Sequence, residues 1–264
     1  MQKLPPLIRW TRASTISISI FLTVIGLIVY VWWPLAKEYL SYFAYIDWHR
    51  WWLYIDWLLI GIFLFMSLTI VAQSDLRTDG LIVLVATIGG LVIEAWGTQT
   101  NLWFYYTSER PPLWIIPAWP IATLSVDRIT RMLSYLLPKE SRLIYQILYW
   151  LIFISFYTLM LIFVAPTLEK PYTILALLLC ALLIITPTDS RTAFLVFIAG
   201  AGLGYFLELW GTTRECWTYY TYQTPPLFAV LAHGMAADAF WRTGLILKKL
   251  GMRFGLFRPQ PVKA

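Results

Sequence analysis

Eight stretches of this chain, at about 16–35, 51–72, 80–97, 112–135, 143–165, 171–187, 193–210 and 226–247, are apolar and close to the length that crosses a bilayer. A helical span needs roughly 20 mostly apolar residues, because the hydrocarbon core is about 30 Å thick. Charged residues make up 13% of the chain and its mean hydropathy is +0.68. A soluble domain carries about a quarter charged residues, so this chain has too little polar surface for a fold in water. It also holds 15 Trp and 16 Tyr, residues that concentrate where hydrocarbon meets water because an apolar ring carries a polar tip. The expected fold class is all-α: a polytopic membrane helix bundle of about eight spans. The fourth stretch is the least regular. With Pro117, Pro120, Asp127, Arg128 and Arg131, it reads as a broken helix or a short span continuing along the membrane surface.

Basic residues orient the spans. With the N-terminus placed inside, fifteen of the 20 Lys and Arg fall in inner segments, among them Lys3, Arg9, Lys139, Arg258 and Lys263. Outer segments hold only Lys37, Arg50, Arg110, Lys170 and Arg214. That bias predicts a multi-pass protein of the cell (inner or plasma) membrane with both termini cytoplasmic. The first stretch is full length and ends in Val-Trp-Trp-Pro, so it reads as a retained span and not a cleavable signal. The net charge of +6 fits loops facing anionic lipid, and no nucleic-acid partner is expected. Two cysteines (Cys180, Cys216) and two histidines (His49, His233) are too few for a disulfide framework or a histidine-rich metal centre. Neither metal nor cofactor is expected.

The chain also repeats itself. Two segments align without a gap at an offset of 114 residues: Asp75-x-Arg77-Thr78 with Asp189-x-Arg191-Thr192, Glu94-x-Trp96-Gly97-Thr98 with Glu208-x-Trp210-Gly211-Thr212, Trp103-x-Tyr105-Tyr106-Thr107 with Trp217-x-Tyr219-Tyr220-Thr221, and Pro111-Pro112-Leu113 with Pro225-Pro226-Leu227. Arg128 still pairs with Arg242. So many identities in one register predict a tandem duplication of a four-span unit, 1–136 and 137–264, with aligned cores 75–128 and 189–242. Four spans per unit give both copies one orientation.

The repeated residues have two readings each. Glu94 and Glu208 lie about a turn from the outer ends of their helices. A charge at membrane depth is costly and usually faces the protein interior with a partner. The pair either flanks a central cavity as acid and base, or each carboxyl simply holds the Gly-Thr and Trp-Tyr loop that follows it. Trp96, Trp103, Tyr105, Trp210, Trp217 and Tyr219 are either an interfacial belt or the aromatic mouth of a ligand site. The copies part company after Pro-Pro-Leu, where His233 stands at the position of Trp119. His233 should lie about 10 Å into the eighth stretch at 1.5 Å per residue, and a histidine there titrates near neutral pH. Asp56 and Asp238 also break the symmetry. Glu94, Glu208 and His233 are thus the candidate catalytic residues; Asp56, Trp96, Trp103, Tyr105, Trp119, Trp210, Trp217, Tyr219 and Asp238 are candidates for lining the substrate. Asp75 and Asp189 read as helix N-caps. Asp75 and Asp79 also form half of a diphosphate–magnesium pattern, but Ala193 replaces the second copy of Asp79. Gly200, Gly202 and Gly204 read as close helix packing and not as a nucleotide loop.

The block Glu94-xx-Gly97-Thr98…Trp103-x-Tyr105-Tyr106-Thr107…Pro112-Leu113-xxx-Pro117-Ala118-Trp119 resembles multi-pass carotenoid-processing proteins. Bacterial carotenoid hydratases carry a similar run of carboxylate, Gly, aromatic–Tyr stretch and Pro-Ala-Trp, and small lycopene cyclase domains share its theme. The resemblance covers roughly forty residues. It implies cofactor-free acid–base chemistry on a polyene or other isoprenoid lipid, with Glu94 as proton donor. Two other classes remain open: a transporter with paired carboxylates binding a cation, and a scaffold subunit packing its Trp-rich faces on other membrane subunits.

Overall fold

A computed structural model describes residues 10–137, 141–185 and 188–254. The basic residues Lys3, Arg9, Lys139, Arg258 and Lys263 lie outside the described residues. The fold is all-α apart from one two-stranded ribbon. Among the described residues, four helical segments are long and apolar enough to cross a membrane, at Arg12–Val31, Leu76–Gln99, Arg142–Thr167 and Ser190–Thr213, and two shorter apolar helices lie at Trp57–Val71 and Pro171–Ile184. This inventory is compatible with a membrane protein.

By internal contact the chain divides into Met1–Arg77 and Thr78–Ala264. The division does not fall at the repeat boundary of 136/137. Contact measures where side chains pack, and the second unit gathers almost all of both aligned blocks.

In the first unit, α1 (Arg12–Val31) and α3 (Trp57–Val71) pack as a pair. Thr11 caps α1, accepting from the Ser14 backbone N–H while Ser14 returns a bond to the Thr11 N–H. This reciprocal pair satisfies two donors that a helix start leaves orphaned. The buried Ser14 hydroxyl also donates to the Val71 carbonyl at 2.8 Å, which ties the start of α1 to the end of α3. Between them run α2 (Trp33–Ser41) and two 3-10 turns at Tyr42–Tyr45 and Trp48–Leu53. The second apolar stretch therefore begins as a helix at residue 57 and not at 51. Asp56 sets that start: its side chain accepts from the Leu59 N–H at 3.1 Å.

In the second unit, α4 (Leu76–Gln99) leads into strand β1 (Trp103–Tyr105) and then α5 (Ala118–Leu136). Next come α6 (Arg142–Val164), α7 (Pro171–Ile184), α8 (Ser190–Thr213), strand β2 (Trp217–Tyr219) and α9 (Leu227–Arg253). The fourth stretch proves to be a short 3-10 turn at Leu113–Ile115 followed by one continuous helix, α5. Its prolines fall at or near the start, where a missing N–H costs nothing. The helix α8 is central, packing on α9, α5 and α6. Gly200 permits that approach, since an added Cβ would lie 2.9 Å from the His233 carbonyl oxygen and 3.0 Å from the Gly234 Cα of α9. Gly202 faces open space and plays no part in it.

The buried charge in α5 has a specific partner. Arg128 donates to both oxygens of Asp79 on α4, at 2.8 and 2.7 Å, with their side chains 4% and 8% exposed. Asp127 bonds Arg128 at 2.6 Å and Arg131 at 2.7 Å. Asp79 is thus spent on helix pairing and is not half of a diphosphate–magnesium site. Asp189 caps α8 as expected, accepting from the Arg191 N–H at 3.1 Å. Arg191 in turn donates to the Ser134 and Leu137 carbonyls at 2.9 Å each, closing the end of α5.

Removing one partner of a buried ion pair leaves an uncompensated charge and costs about 3–5 kcal/mol, whereas replacing both with apolar groups is nearly neutral. Asp79→Ala is therefore expected to lower the thermal midpoint in detergent sharply, and Asp79→Leu/Arg128→Met to recover most of the loss. Equal destabilisation by both variants would contradict the pairing.

Candidate functional site

The site starts from two helix ends. The helices α4 and α8 each run 24 residues and each carry a glutamate five residues before the last. Beyond each end the chain turns back into a three-residue strand, and β1 and β2 pair antiparallel, with Trp103 opposite Tyr219 and Tyr105 opposite Trp217. The turn is tight because Gly97 and Gly211 lie against an indole. A Cβ at Gly97 would sit 1.9 Å from Trp103, and one at Gly211 would sit 2.0 Å from Trp217. Only glycine lets each tryptophan fold back over its own helix.

That fold-back delivers N–H and O–H groups to the carboxyls. Glu94 is 5% exposed and accepts three bonds: from Trp103 Nε1 at 3.0 Å and the Tyr105 hydroxyl at 2.8 Å on Oε2, and from Trp119 Nε1 at 3.1 Å on Oε1. Glu208 is 3% exposed and accepts from Trp217 Nε1 at 3.0 Å on Oε2 and the Tyr219 hydroxyl at 2.8 Å on Oε1. His233 Nε2 lies 2.9 Å from the same Oε1. Each donor to Glu94 has its counterpart 114 residues on. The expectation that each carboxyl holds its loop is therefore met in its bonds. Burial pushes the Tyr105 and Tyr219 phenols well above their ordinary range, with the adjacent glutamates adding to the effect. Both phenols thus stay protonated and remain donors.

Trp119 and His233 close the arrangement. Trp119 is the second residue of α5 and His233 the seventh of α9, and both lie against a glycine of the preceding long helix: Gly90 for Trp119 and Gly204 for His233. Their rings stack, with centroids 5.7 Å apart and planes at 20°. One continuous line of contact therefore runs from Glu94 through the two stacked rings to Glu208.

The polar groups open on an apolar cavity of about 600 Å³, bounded by α4, α5, α6, α7, α8, α9 and the ribbon. Its size is that of small-molecule pockets generally. Glu94, Glu208 and His233 all line it, as do Trp96, Trp103, Tyr105, Trp119, Trp217 and Tyr219. Three candidates do not. Asp56 caps α3 in the first unit. Trp210 packs edge-on against Trp217, behind the wall. Asp238 is 2% exposed on α9 with neither carboxyl oxygen hydrogen-bonded, on a side of the helix away from the cavity lining. Its helical spacing from His233, five residues or about 140° of turn, accounts for the miss.

Sequence reasoning missed the far wall. Phe156 and Met160 of α6 and Cys180 of α7 complete the cavity, yet they sit in uniformly apolar stretches with no periodic signal. Among the described residues no group of three or more His, Cys, Asp or Glu is placed to hold a metal ion. The chain matches no known family model, no curated protein and no solved structure.

The glycine–indole contact yields a controlled test. In Gly97→Ala or Gly211→Ala the indole must move, with overpacking worth about 1–3 kcal/mol and a comparable loss where its N–H leaves the carboxyl. Gly202→Ala meets no atom within 4 Å and should hold or slightly raise the midpoint. Thermal unfolding in detergent followed by near-UV circular dichroism reads both; a Gly97→Ala protein as stable as Gly202→Ala would contradict the geometry.

Proposed function

We propose that this chain is a multi-pass membrane protein of about eight spans, built by tandem duplication of a four-span unit, and an intramembrane acid–base enzyme acting on a carotenoid or other isoprenoid chain. The observation that carries the reading is the meeting of two buried carboxyls and an imidazole on the wall of one apolar cavity. A hydrocarbon ligand fits such walls, and the convergent polar groups supply the chemistry.

Support for the duplication comes from equivalent geometry. The glutamates, their Trp and Tyr donors, the glycines under each indole, and the left-handed residues Asn101 and Ser108 against Glu215 and Tyr222 all recur at one offset. The reciprocal strand register, Trp103 with Tyr219 and Tyr105 with Trp217, is that of two copies related by a two-fold axis. The basic-residue bias supports cytoplasmic termini.

The chemistry runs as follows. A protonated Glu94 gives its proton to one carbon of a double bond, whose π pair becomes the new C–H bond. The other carbon becomes a carbocation among the π faces of Trp103, Trp119 and Tyr105, which stabilise positive charge. Water adding to that carbon passes a proton to the Glu208–His233 pair, for a net hydration. Loss of a proton from the neighbouring carbon to the Glu208–His233 pair gives an isomer instead; attack by another double bond of the same chain closes a ring and moves the cation to that bond's far carbon, which is discharged by losing a neighbouring proton to the same pair. Return of the proton to Glu94 restores the site. Indole and phenol donors occupy the carboxyl oxygens, which leaves little room to coordinate a cation, so the enzyme reading is preferred to a transporter. The cavity favours it over a scaffold subunit.

Glu94→Gln keeps two of three donors satisfied but has no acid proton. Product formation is expected to fall by about 10²–10⁴, the usual worth of a general acid, with a smaller loss for Trp119→Phe. Chromatography of apolar lipids from cells expressing each variant measures it. Wild-type product levels from Glu94→Gln would contradict the assignment.

A further inference from the structure

The shape of the cavity carries a more specific reading of its ligand and of the route in, and it rests on the acid–base reading above. Its carboxyls, imidazole and phenols are grouped at one end. Glu94, Glu208 and His233 lie against the ribbon that carries Tyr105 and Tyr219, and the lining then continues down α9 to Leu247. From His233 to Leu247 is about 21 Å at 1.5 Å per residue. Along that length the α9 lining combines small side chains, Ala236, Ala239 and Thr243, with the larger Met235, Phe240 and Leu247; the small ones are spaced three or four apart, so that they fall on one face. The Thr243 hydroxyl is already committed to the Ala239 carbonyl at 2.8 Å. The lining at the far end carries no charged side chain.

The cavity also has a side opening. Leu84, Ile88 and Val92 of α4 line it and yet are 53%, 57% and 48% exposed; Leu179 of α7 lines it and is 44% exposed. A side chain that is both lining and exposed stands at a mouth. These residues lie in the middle of apolar helices, away from the ribbon end where Trp96 of α4 donates to the Thr173 hydroxyl of α7 at 3.4 Å. We infer that an uncharged linear chain enters sideways from the bilayer between α4 and α7 and lies along α9, with its reacting end against Glu94, Glu208 and His233. A ligand so placed never leaves the hydrocarbon phase, which explains a site with no aqueous headgroup pocket.

The test uses the full chain in nanodiscs with lycopene, a coloured acyclic polyene, as probe, and farnesyl diphosphate as the charged comparison. Binding is read by induced circular dichroism in the polyene band and by lipid retained after washing. Ile88→Trp/Leu179→Trp narrows the mouth and is expected to weaken polyene binding about tenfold or more, a factor worth about 1.4 kcal/mol. Leu91→Trp, on an exposed face of α4 outside the lining, should bind as wild type. Unchanged binding by the mouth variant, equal weakening by Leu91→Trp, no polyene binding by wild type, or preferred binding of the diphosphate would each overturn the inference. Polyene that binds as described but is never converted would overturn the acid–base reading and leave this one standing.

Discussion

A carboxyl buried at the end of a long apolar helix must find hydrogen-bond donors, because an isolated ionised or polar group in low dielectric costs several kcal/mol. In this chain the donors are an indole N–H nine residues on and a phenol eleven residues on. To bring them back, the chain must reverse over its own helix, and that needs glycine beneath the indole. The two reversed segments then present matching strand edges and pair. The ribbon, the roof of the cavity and the placement of α5 and α9 all follow from satisfying two carboxyls.

The same bonds suit the groups to chemistry. Neutral donors fix each carboxyl in orientation without neutralising it, as a preorganised site requires. Where the copies differ, one ring is exchanged for another: Trp119 can only donate, whereas His233 can donate or accept. Two carboxyls in near-identical cages thus differ in one partner, and the proposed division into acid and base rests on that difference.

Much of this was legible in the residues. Helix positions followed from apolar length alone, and observed α4 and α6 to α9 start within four residues of the expected stretches. The Glu–Trp–Tyr spacing and the Trp119-for-His233 exchange pointed to the site before any contact was known. What stayed hidden has physical reasons. The second stretch began late because Trp48 to Leu53 favour a short turn ahead of the Asp56 cap, and hydropathy does not distinguish exposed indoles from a helical face. Asp238 read as lining because it breaks the symmetry between the copies, but a difference between copies says nothing of which way a helix faces. The α6 and α7 wall, with Phe156 and Cys180, came from stretches apolar on all sides, where no period marks the inward face.

The central claim is that Glu94 delivers a solvent-derived proton to carbon within the membrane. Membranes holding the wild-type chain, incubated in deuterium oxide with extracted cellular polyenes, test it most directly. The account predicts carbon-bound deuterium in an apolar lipid by mass spectrometry, absent with Glu94→Gln. Deuterium uptake that is equal in the two, or no uptake with the wild-type chain, would contradict it.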